Sequence, residues 1–572
     1  MTTTAHTVMG DPRINCSARI VLDDGTEVDF HGLGETKISQ WLKMGVREVR
    51  PGHIRYFLHN TGAPQFAGNQ PQPGVVVKFR GFWFGAPKGW TVEYGIDRKI
   101  DRMFEWDGKD VYRACDETTY HSTVHGQPDS TRWHVLMGGE QLWIDVQDLG
   151  QVEGDVPDPQ VALPYAEGIF GWDKGYDPTK YPDLERLRSL YTKSAASSSL
   201  QSKERDLGWW LLWAAERHSA NADGSTRLPV TRNLWDFGSV IWADGHSNGN
   251  YDPILHAVER YLATSDPNAW HVAYLMARHK VAHGLILCDA ISEPQWGKWR
   301  YEKSTQEIGK RGRPGDQNLP AESHKWDSGV LLVATMSQDP DLLKAISVRK
   351  TQLLGSSPTV THYGPRAWAW TLAGLWAYWV VQKDPALKAR AQQEINRGIA
   401  DLSRFGYWAD DPNTGEWSPW QNAIALAQVA MWASAGVSVP TDRLLAVARL
   451  VLDRGTRFVK GGDGKDYLQA AMLMNRAPWQ GQPQPDVWQG PVLTANVLPL
   501  CWLMHKFEPQ RYSGHWDAAA RTVAQPFRSN FQSLGMQLHP GEYQFDWTGA
   551  GFGAPKINSD WLLFARPRYF VP

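Results

Sequence analysis

Three connections in the second half of this chain share one chemistry: Ser265-Asp266-Pro267, Gln338-Asp339-Pro340 and Lys383-Asp384-Pro385. In each, Asp is placed to cap a following helix and Pro to fill its first turn, where no amide hydrogen is missed. Pro440-Thr441-Asp442 closes a similar turn after Gly436. Such short links force successive helices antiparallel. The other connections, 230–252, 292–323, 355–365, 405–419 and 475–490, are long. With alternating helix directions, the tight turns gather at one end of the assembly and the long loops at the other. Long loops in a compact domain are usually functional, so the pattern predicts a scaffold end and a site end.

Helices entered from the long loops are expected to begin near Pro253, Lys325, Arg366, Trp420 and Val492. Their sequences, such as AWAWTLAGLWAYWV at 367–380, are apolar nearly all round, as inner helices must be. Their partners, such as 386–402, are amphipathic. Roughly five to seven such hairpins predict an (α/α) toroid.

Upstream the pattern changes. Segments 18–22, 75–79, 90–94 and 133–137 are short and rich in β-branched or aromatic residues, and Asp24-Gly25, Asp107-Gly108 and Gly138-Gly139 supply turns. The expected class is multidomain α+β. A β-rich domain, sandwich or barrel-like, fills 1–165, the toroid fills 166–506, and a β or irregular extension fills 507–572.

The 59 Lys and Arg balance 61 Asp and Glu, a net charge of -2, which gives no general attraction to nucleic acid or anionic membranes. No apolar run reaches the ~18 residues of a spanning helix. The N-terminal MTTTAHTVMGDPR lacks the apolar stretch of a Sec signal. The expected location is therefore cytoplasmic, or extracellular or virion-associated by another route. Four scattered cysteines form no CxxC pair, so neither zinc centre nor disulfide framework is expected. His271, His279 and His283 share a helix, but an HxxxH spacing is common in plain helices. No phosphate loop, GxSxG elbow or HExxH motif is present. No cofactor is predicted, and a divalent cation stays open.

Thirty Trp imply stacking surface as well as core, with most of them expected in the core and the rest suited to sugar faces or a protein interface. The loop WDFGSVIWADGHSNGNYD gathers His246, Asn250, Tyr251 and Asp252 just before an inner helix. The next long loop offers Trp299 and ends in His324, Trp326 and Asp327. The run THYGPRAW supplies His362, Tyr363 and Arg366. Such a set suits β-elimination from a uronic acid: Arg neutralises the carboxylate and acidifies the α-proton, while His or Tyr moves protons. His246, Tyr251, His324, His362, Tyr363 and Arg366 are the catalytic candidates. Asn250, Asp252, Trp299, Trp326, Asp327, Trp408, Glu416, Trp417 and Trp488 are the substrate-binding candidates. For each residue the alternative is a capping, core or solvated role. Paired carboxylates would instead support glycoside hydrolysis, with Asp244, Glu322, Asp327 and Glu416 available.

On WDFGSVIWADGHSNGNYDP and the His-rich helix after it, the chain resembles the exo-acting rhamnogalacturonan lyase family. The resemblance covers 14–505 in architecture and this one loop in motif. It implies a β-domain joined to a toroid and a polysaccharide-active enzyme. The expected ligand is a polysaccharide or oligosaccharide. The rival expectation is a non-catalytic sugar-binding or structural component of a virion or tail-like assembly, with protein partners.

Overall fold

The computed structural model describes residues 17–63, 65–67, 70–72, 75, 77–93, 102–106, 109–115, 134–148, 156–157, 240–242, 245–247, 252, 254–255, 258, 261, 267–292, 296–299, 325–355, 360–474, 488–489 and 491–524. The N-terminal part is two large antiparallel sheets and a two-stranded ribbon of β6 and β7. Its strands are β1 (Ser17–Leu22), β2 (Glu27–His31), β3 (Gly34–Lys37), β4 (Leu42–Arg50), β5 (His53–Asn60), β6 (Gln65–Ala67), β7 (Gln70–Gln72), β8 (Val77–Pro87), β9 (Thr91–Glu93), β10 (Arg102–Trp106), β11 (Lys109–Cys115), β12 (His134–Leu136) and β13 (Gln141–Gln147). One sheet runs β10-β11-β8-β1-β2, with β12 also on β8, and the other runs β3-β4-β5-β13-β9.

Strand alternation explains the packing. Ala18, Ile20, Phe82 and Phe84 of the first sheet share a core with Tyr56, Leu58, Ile144 and Val146 of the second. The Tyr56 hydroxyl crosses that core and donates to the Gly85 carbonyl at 2.6 Å. The opposite face of β5 and β13 is buried too. Phe57 and Trp143 belong to the hydrophobic core of the helical part, so the second sheet is sandwiched between the first sheet and the helices.

The helical part contains α1 (Pro267–His279), α2 (Ser328–Ser337), α3 (Pro340–Gly355), α4 (Val360–Gln382), α5 (Pro385–Phe405), α6 (Pro419–Ser434), α7 (Thr441–Gly455), α8 (Pro491–Phe507) and α9 (Pro509–Ala524). Each of α2/α3, α4/α5, α6/α7 and α8/α9 packs as a hairpin, and α2, α4, α6 and α8 follow one another as an inner row. Thus α6 is buried on nearly every side, whereas α5 and α7 alternate buried and exposed positions. This is an arc of paired helices. The residues that would close it into the expected ring lie outside the described ones.

The tight turns form as their sequences dictate. Helices α3 and α5 begin at Pro340 and Pro385. Asp384 accepts from the Ala386 amide at 2.9 Å, and Asp339 from Asp341 and Leu342 at 2.8 and 3.2 Å. Gln338 and Lys383 end the preceding helices at φ 54°.

Several elements differ from expectation. Helix α9 occupies part of the segment read as β or irregular from 507 onward. Its Pro509 opens the helix, and an amphipathic face, with Trp516, Ala518 and Ala519 buried, packs it onto α8. The stretch after α7 is a hairpin of β16 (Thr456–Lys460) and β17 (Asp466–Ala471), with β18 (Trp488–Gln489) on its edge. The 230–252 loop contains a hairpin, β14 (Val240–Trp242) and β15 (Gly245–Ser247). The 165 boundary falls outside the described residues. Among the described residues no helix is long and apolar enough to cross a membrane.

Candidate functional site

Four of the expected binding residues converge, but inside the protein. Asp327 accepts from Trp299 Nε1 at 2.8 Å and from Arg349 Nε and Nη2 at 2.8 and 3.2 Å. Burial pushes the Asp327 carboxyl up, yet Arg349, Trp299 and Lys280 hold it below its usual range. Lys280 sits in a single π-turn, Lys280–Gly284, that continues α1. It donates to the Trp326 carbonyl and stands 4.8 Å from the Trp299 ring centre. Burial drives its ammonium pKa down despite Asp252 and Asp327 nearby. Asp252 accepts from the Gly329 amide at 2.9 Å, capping α2, and burial raises its pKa. Asp252, Trp299, Trp326 and Asp327 are each at most 5% exposed. They form a closed polar knot holding α1, α2 and α3 together. Sequence reasoning missed its cations, Lys280 and Arg349, which look like solvated charges until helix packing turns them inward.

Trp408 and Trp417 are interior as well, at 1% and 0% exposure. The Trp408 indole donates to Gly398 O at 2.7 Å, and the Trp417 ring packs 5.1 Å from Tyr407. With Trp368, Trp370 and Trp432 they are among the largest fully buried side chains. Much of the tryptophan content is therefore core and not stacking surface.

An accessible constellation forms instead where α4 and α6 begin. Within α4 the backbone breaks at Gly364 (φ 75°, ψ 165°), and Pro365 restarts the helix. That break places Arg366 at the first turn of the main segment, close to the start expected from sequence. The Arg366 guanidinium lies 5.3 Å from the Trp420 ring centre. Its Nε has no hydrogen-bond partner among the described residues.

Facing it is Asp410, at the start of a loop pinned by the Asp410 amide donating to Glu416 O at 2.8 Å. Gly415 (φ 75°) lets that loop turn. Ser418 precedes α6 in the N-cap position but makes no side-chain cap. Its hydroxyl donates to Asp410 Oδ2, and Gln421 Nε2 donates to the Ser418 oxygen at 3.2 Å. A Cβ on Gly364 would stand 3.7 Å from Asp410 Oδ1 and 3.8 Å from Gln421 Oε1, so the kink borders this cluster directly. Burial is the main force on the Asp410 carboxyl. Glu416 adds to it, while Ser418 and Arg366 oppose it, and the pKa settles at about 6. A partly buried acid titrating near neutrality, held by a hydroxyl and faced by a cation, can accept or deliver a proton.

Of the expected residues, Arg366 and Glu416 belong to this cluster, and His362 and Tyr363 occupy the helical turn just before it. The side chains of His362 and Tyr363 lie outside the described residues. So do Asn250, Tyr251 and His324, and the side chain of His246, whose backbone pairs with Ile241. Trp488 is half-buried beside Arg457, 4.8 Å from ring centre to guanidinium carbon. Asp410, in the 405–419 loop, carries no sequence signal that separates it from a capping acid. Ser418 and Gln421 were missed, although a Ser before Pro at a helix start is a legible signal. His283, of the histidine-rich helix, pairs with Glu140 at 3.0 Å. Among the described residues no group of three or more potential metal ligands converges.

Comparison with known proteins is sparse. No protein-family model matches the chain, and no curated protein matches it. Among solved structures, the crystal structure of D-mannose isomerase aligns with 10% sequence identity, over 69% of this chain and 99% of that one, with a TM-score of 0.39. At that TM-score the likeness is too loose to assign a fold family or an activity.

Proposed function

We propose that the chain is a carbohydrate-active enzyme that moves a proton on an acidic sugar at the Asp410–Arg366 cluster, as a lyase acting by β-elimination on a uronic-acid-containing glycan. The observation that carries this reading is the juxtaposition of Asp410 and Arg366 where α4 and α6 begin. The Arg366 guanidinium, whose charge already acts on Asp410, is the group that meets the sugar carboxylate on this reading, and neutralising that carboxylate acidifies the neighbouring C–H. Asp410, ionised above about pH 6, is the base that removes the α-proton. Ser418 and Gln421 fix its orientation. On this reading His362 or Tyr363, adjoining in sequence, supplies the proton to the leaving oxygen. The resemblance of the 235–253 loop to rhamnogalacturonan lyases agrees with this substrate class.

One feature favours a second reading. Glu416 lies close enough to push the Asp410 carboxyl up, and two neighbouring carboxylates suit glycoside hydrolysis, with Asp410 as acid.

The test is ultraviolet absorbance of the unsaturated product with a panel of uronic-acid polysaccharides, and reducing ends assayed in parallel. Absorbance that rises with the wild type and falls at least about a hundredfold with Asp410→Asn supports elimination. Reducing ends without absorbance move the assignment to hydrolysis. Silence in both assays overturns the enzymatic reading in favour of a binding or structural role.

A further inference from the structure

The outer face of the first β-sheet carries a feature unrelated to the helical site. In β8 the sequence Gly81-Phe82-Trp83-Phe84-Gly85 alternates sides. Phe82 and Phe84 enter the core, while Gly81, Trp83 and Gly85 take the opposite face. The pairing lays out neighbouring rows across that face. Trp83 stands opposite Arg19, and Arg19 opposite Asp29. Gly85 stands opposite Ser17, and Ser17 opposite His31. Gly81 stands opposite Val21, and Val21 opposite Glu27.

The glycines have a geometric consequence. A Cβ on Gly81 would lie 2.2 Å from the Trp83 ring, so the indole lies down across the backbone at Gly81 and covers it. Gly81 therefore does not line the cavity of about 480 Å³ on this face, whereas Trp83, Gly85, Arg19, Glu27, Asp29 and His31 do. Glycine inside a strand weakens it and often marks where a ligand approaches the backbone closely. Here two of them flank one tryptophan. Among the described residues no aromatic ring or cation stacks on the Trp83 ring, and its indole N–H has no hydrogen-bond partner.

Beside the ring is a rigid polar fork. Arg19 Nε and Nη2 donate to the two oxygens of Asp29 at 2.6 and 2.8 Å, and Nη1 donates to Glu27 at 3.1 Å. Arg19 pulls the Asp29 carboxyl below its usual range. All three groups stay about half exposed. They present fixed acceptors and donors whose charges are already paired, so they suit hydroxyl groups better than a free anion.

We infer that this sheet face is a second, non-catalytic binding site for neutral sugar residues of a glycan chain. A pyranose stacks on Trp83, and its hydroxyls bond to the Arg19–Asp29–Glu27 fork and to His31. A planar apolar ring beside paired polar groups matches a sugar, which is apolar on one face and polar at its rim. The cavity volume lies within the range of small-ligand sites, about 300–1,000 Å³. The inference takes its ligand class from the carbohydrate reading of the chain, and its test separates the two.

The test is affinity electrophoresis of the full chain in native gels containing soluble galactan, xylan, mannan or mixed-linkage glucan. The proteins compared are wild type, Asp410→Asn, Trp83→Ala and Asp29→Asn, each checked for folding by thermal melting. At least one glycan retards wild type and Asp410→Asn equally, while Trp83→Ala weakens the apparent affinity about tenfold or more. Asp29→Asn removes one arm of the fork at an exposed position and weakens retardation even if Trp83→Ala does not fold. Retardation of a wild-type chain that is silent in both activity assays upholds this site while overturning the proposed function. Equal retardation of wild type and both sheet variants, or no retardation by any of the four glycans, overturns the inference.

Discussion

Arg55 in β5 and Asp339 in the turn between α2 and α3 stand 284 residues apart in sequence, yet two hydrogen bonds of 2.7 and 3.2 Å join them in the interior. The same guanidinium reaches both oxygens of Asp145 at 2.8 and 3.0 Å, and Asp341 at 2.8 Å. Tyr274 donates to Asp339 at 2.8 Å, and Arg278 pairs with Asp145 at 2.9 Å. One strand residue thus ties the β-sheets to the helices. Removing a single partner from such a network strands the remaining charges, at a cost of about 3–5 kcal/mol. Arg55→Met is expected to lower the stability of the whole chain by that order in urea titrations. A loss below about 1 kcal/mol would show that the surrounding cations compensate.

The same cluster sets the acid response. Burial pushes the Asp145 and Asp339 carboxyls up, but Arg278, Arg55 and His53 for the first, and Arg55 and Tyr274 for the second, hold both below the usual value of 3.8. The unfolded chain then binds more protons than the native one between the folded and unfolded pKa values. Stability is fully present above the ordinary carboxylate range and is lost as pH falls through the depressed values. Wild type should therefore keep its melting temperature down to about pH 4 and lose it below. In Arg55→Met the loss should begin at higher pH. Identical profiles for the two proteins would refute the assignment.

Asp410 predicts the opposite slope. Its pKa is raised to about 6, chiefly by burial, so between 3.8 and 6 the native state holds more protons than the unfolded one. Its contribution therefore falls as pH rises through that window. Asp410→Asn removes the penalty of an ionised, partly buried acid. The variant should melt a few degrees above wild type at pH ~7.5 and close to it at pH ~4. A site that trades stability for function behaves this way, and a structural carboxylate does not. Equal or lower melting of the variant at both pH values would mean that Asp410 is paired for structure.

Gly364 is the hinge of the candidate site. Its backbone, at φ 75° and ψ 165°, lies where a side chain is strained even though a Cβ would meet nothing nearer than 3.7 Å. Gly364→Ala is expected to cost about 1–3 kcal/mol from backbone strain alone. It should also shift Arg366 relative to Asp410, so turnover should fall by more than the stability loss explains. Assays well below the melting temperature separate the two effects. Full activity would place the reacting groups away from the kink.

The alternation of tight and long connections was legible because capping and proline chemistry act over three or four residues. The starts of α3 and α5 at Pro340 and Pro385 needed no tertiary information. What sequence concealed is that the tight turns differ in role. Asp384 pairs only at the surface, with Lys350 at 2.6 Å, whereas the chemically identical Asp339 is buried against β5. Local pattern cannot report a contact made 284 residues away. The site was half legible for the same reason. Arg366 stood out beside His362 and Tyr363, but Asp410 became distinctive only once burial raised its pKa. The tryptophans misled in the other direction. Aromatic loops look like sugar platforms, yet Trp408 and Trp417 close the core, while Trp83, in a strand, lines an open cavity.

Trp299 makes that distinction measurable. It was expected to bind substrate, but its indole N–H donates to the buried Asp327 carboxylate at 2.8 Å, and Lys280 lies over its ring. Trp299→Phe keeps an aromatic ring and removes the donor to a buried charge, which costs about 1.5–3 kcal/mol. Asp327 keeps Arg349, so the lower part of that range is expected. Stability in urea should fall accordingly, while retardation by neutral glycans and turnover measured well below the melting temperature stay at wild-type levels. Undiminished stability combined with lost turnover would return Trp299 to the substrate site and require the Asp327 knot to open during function.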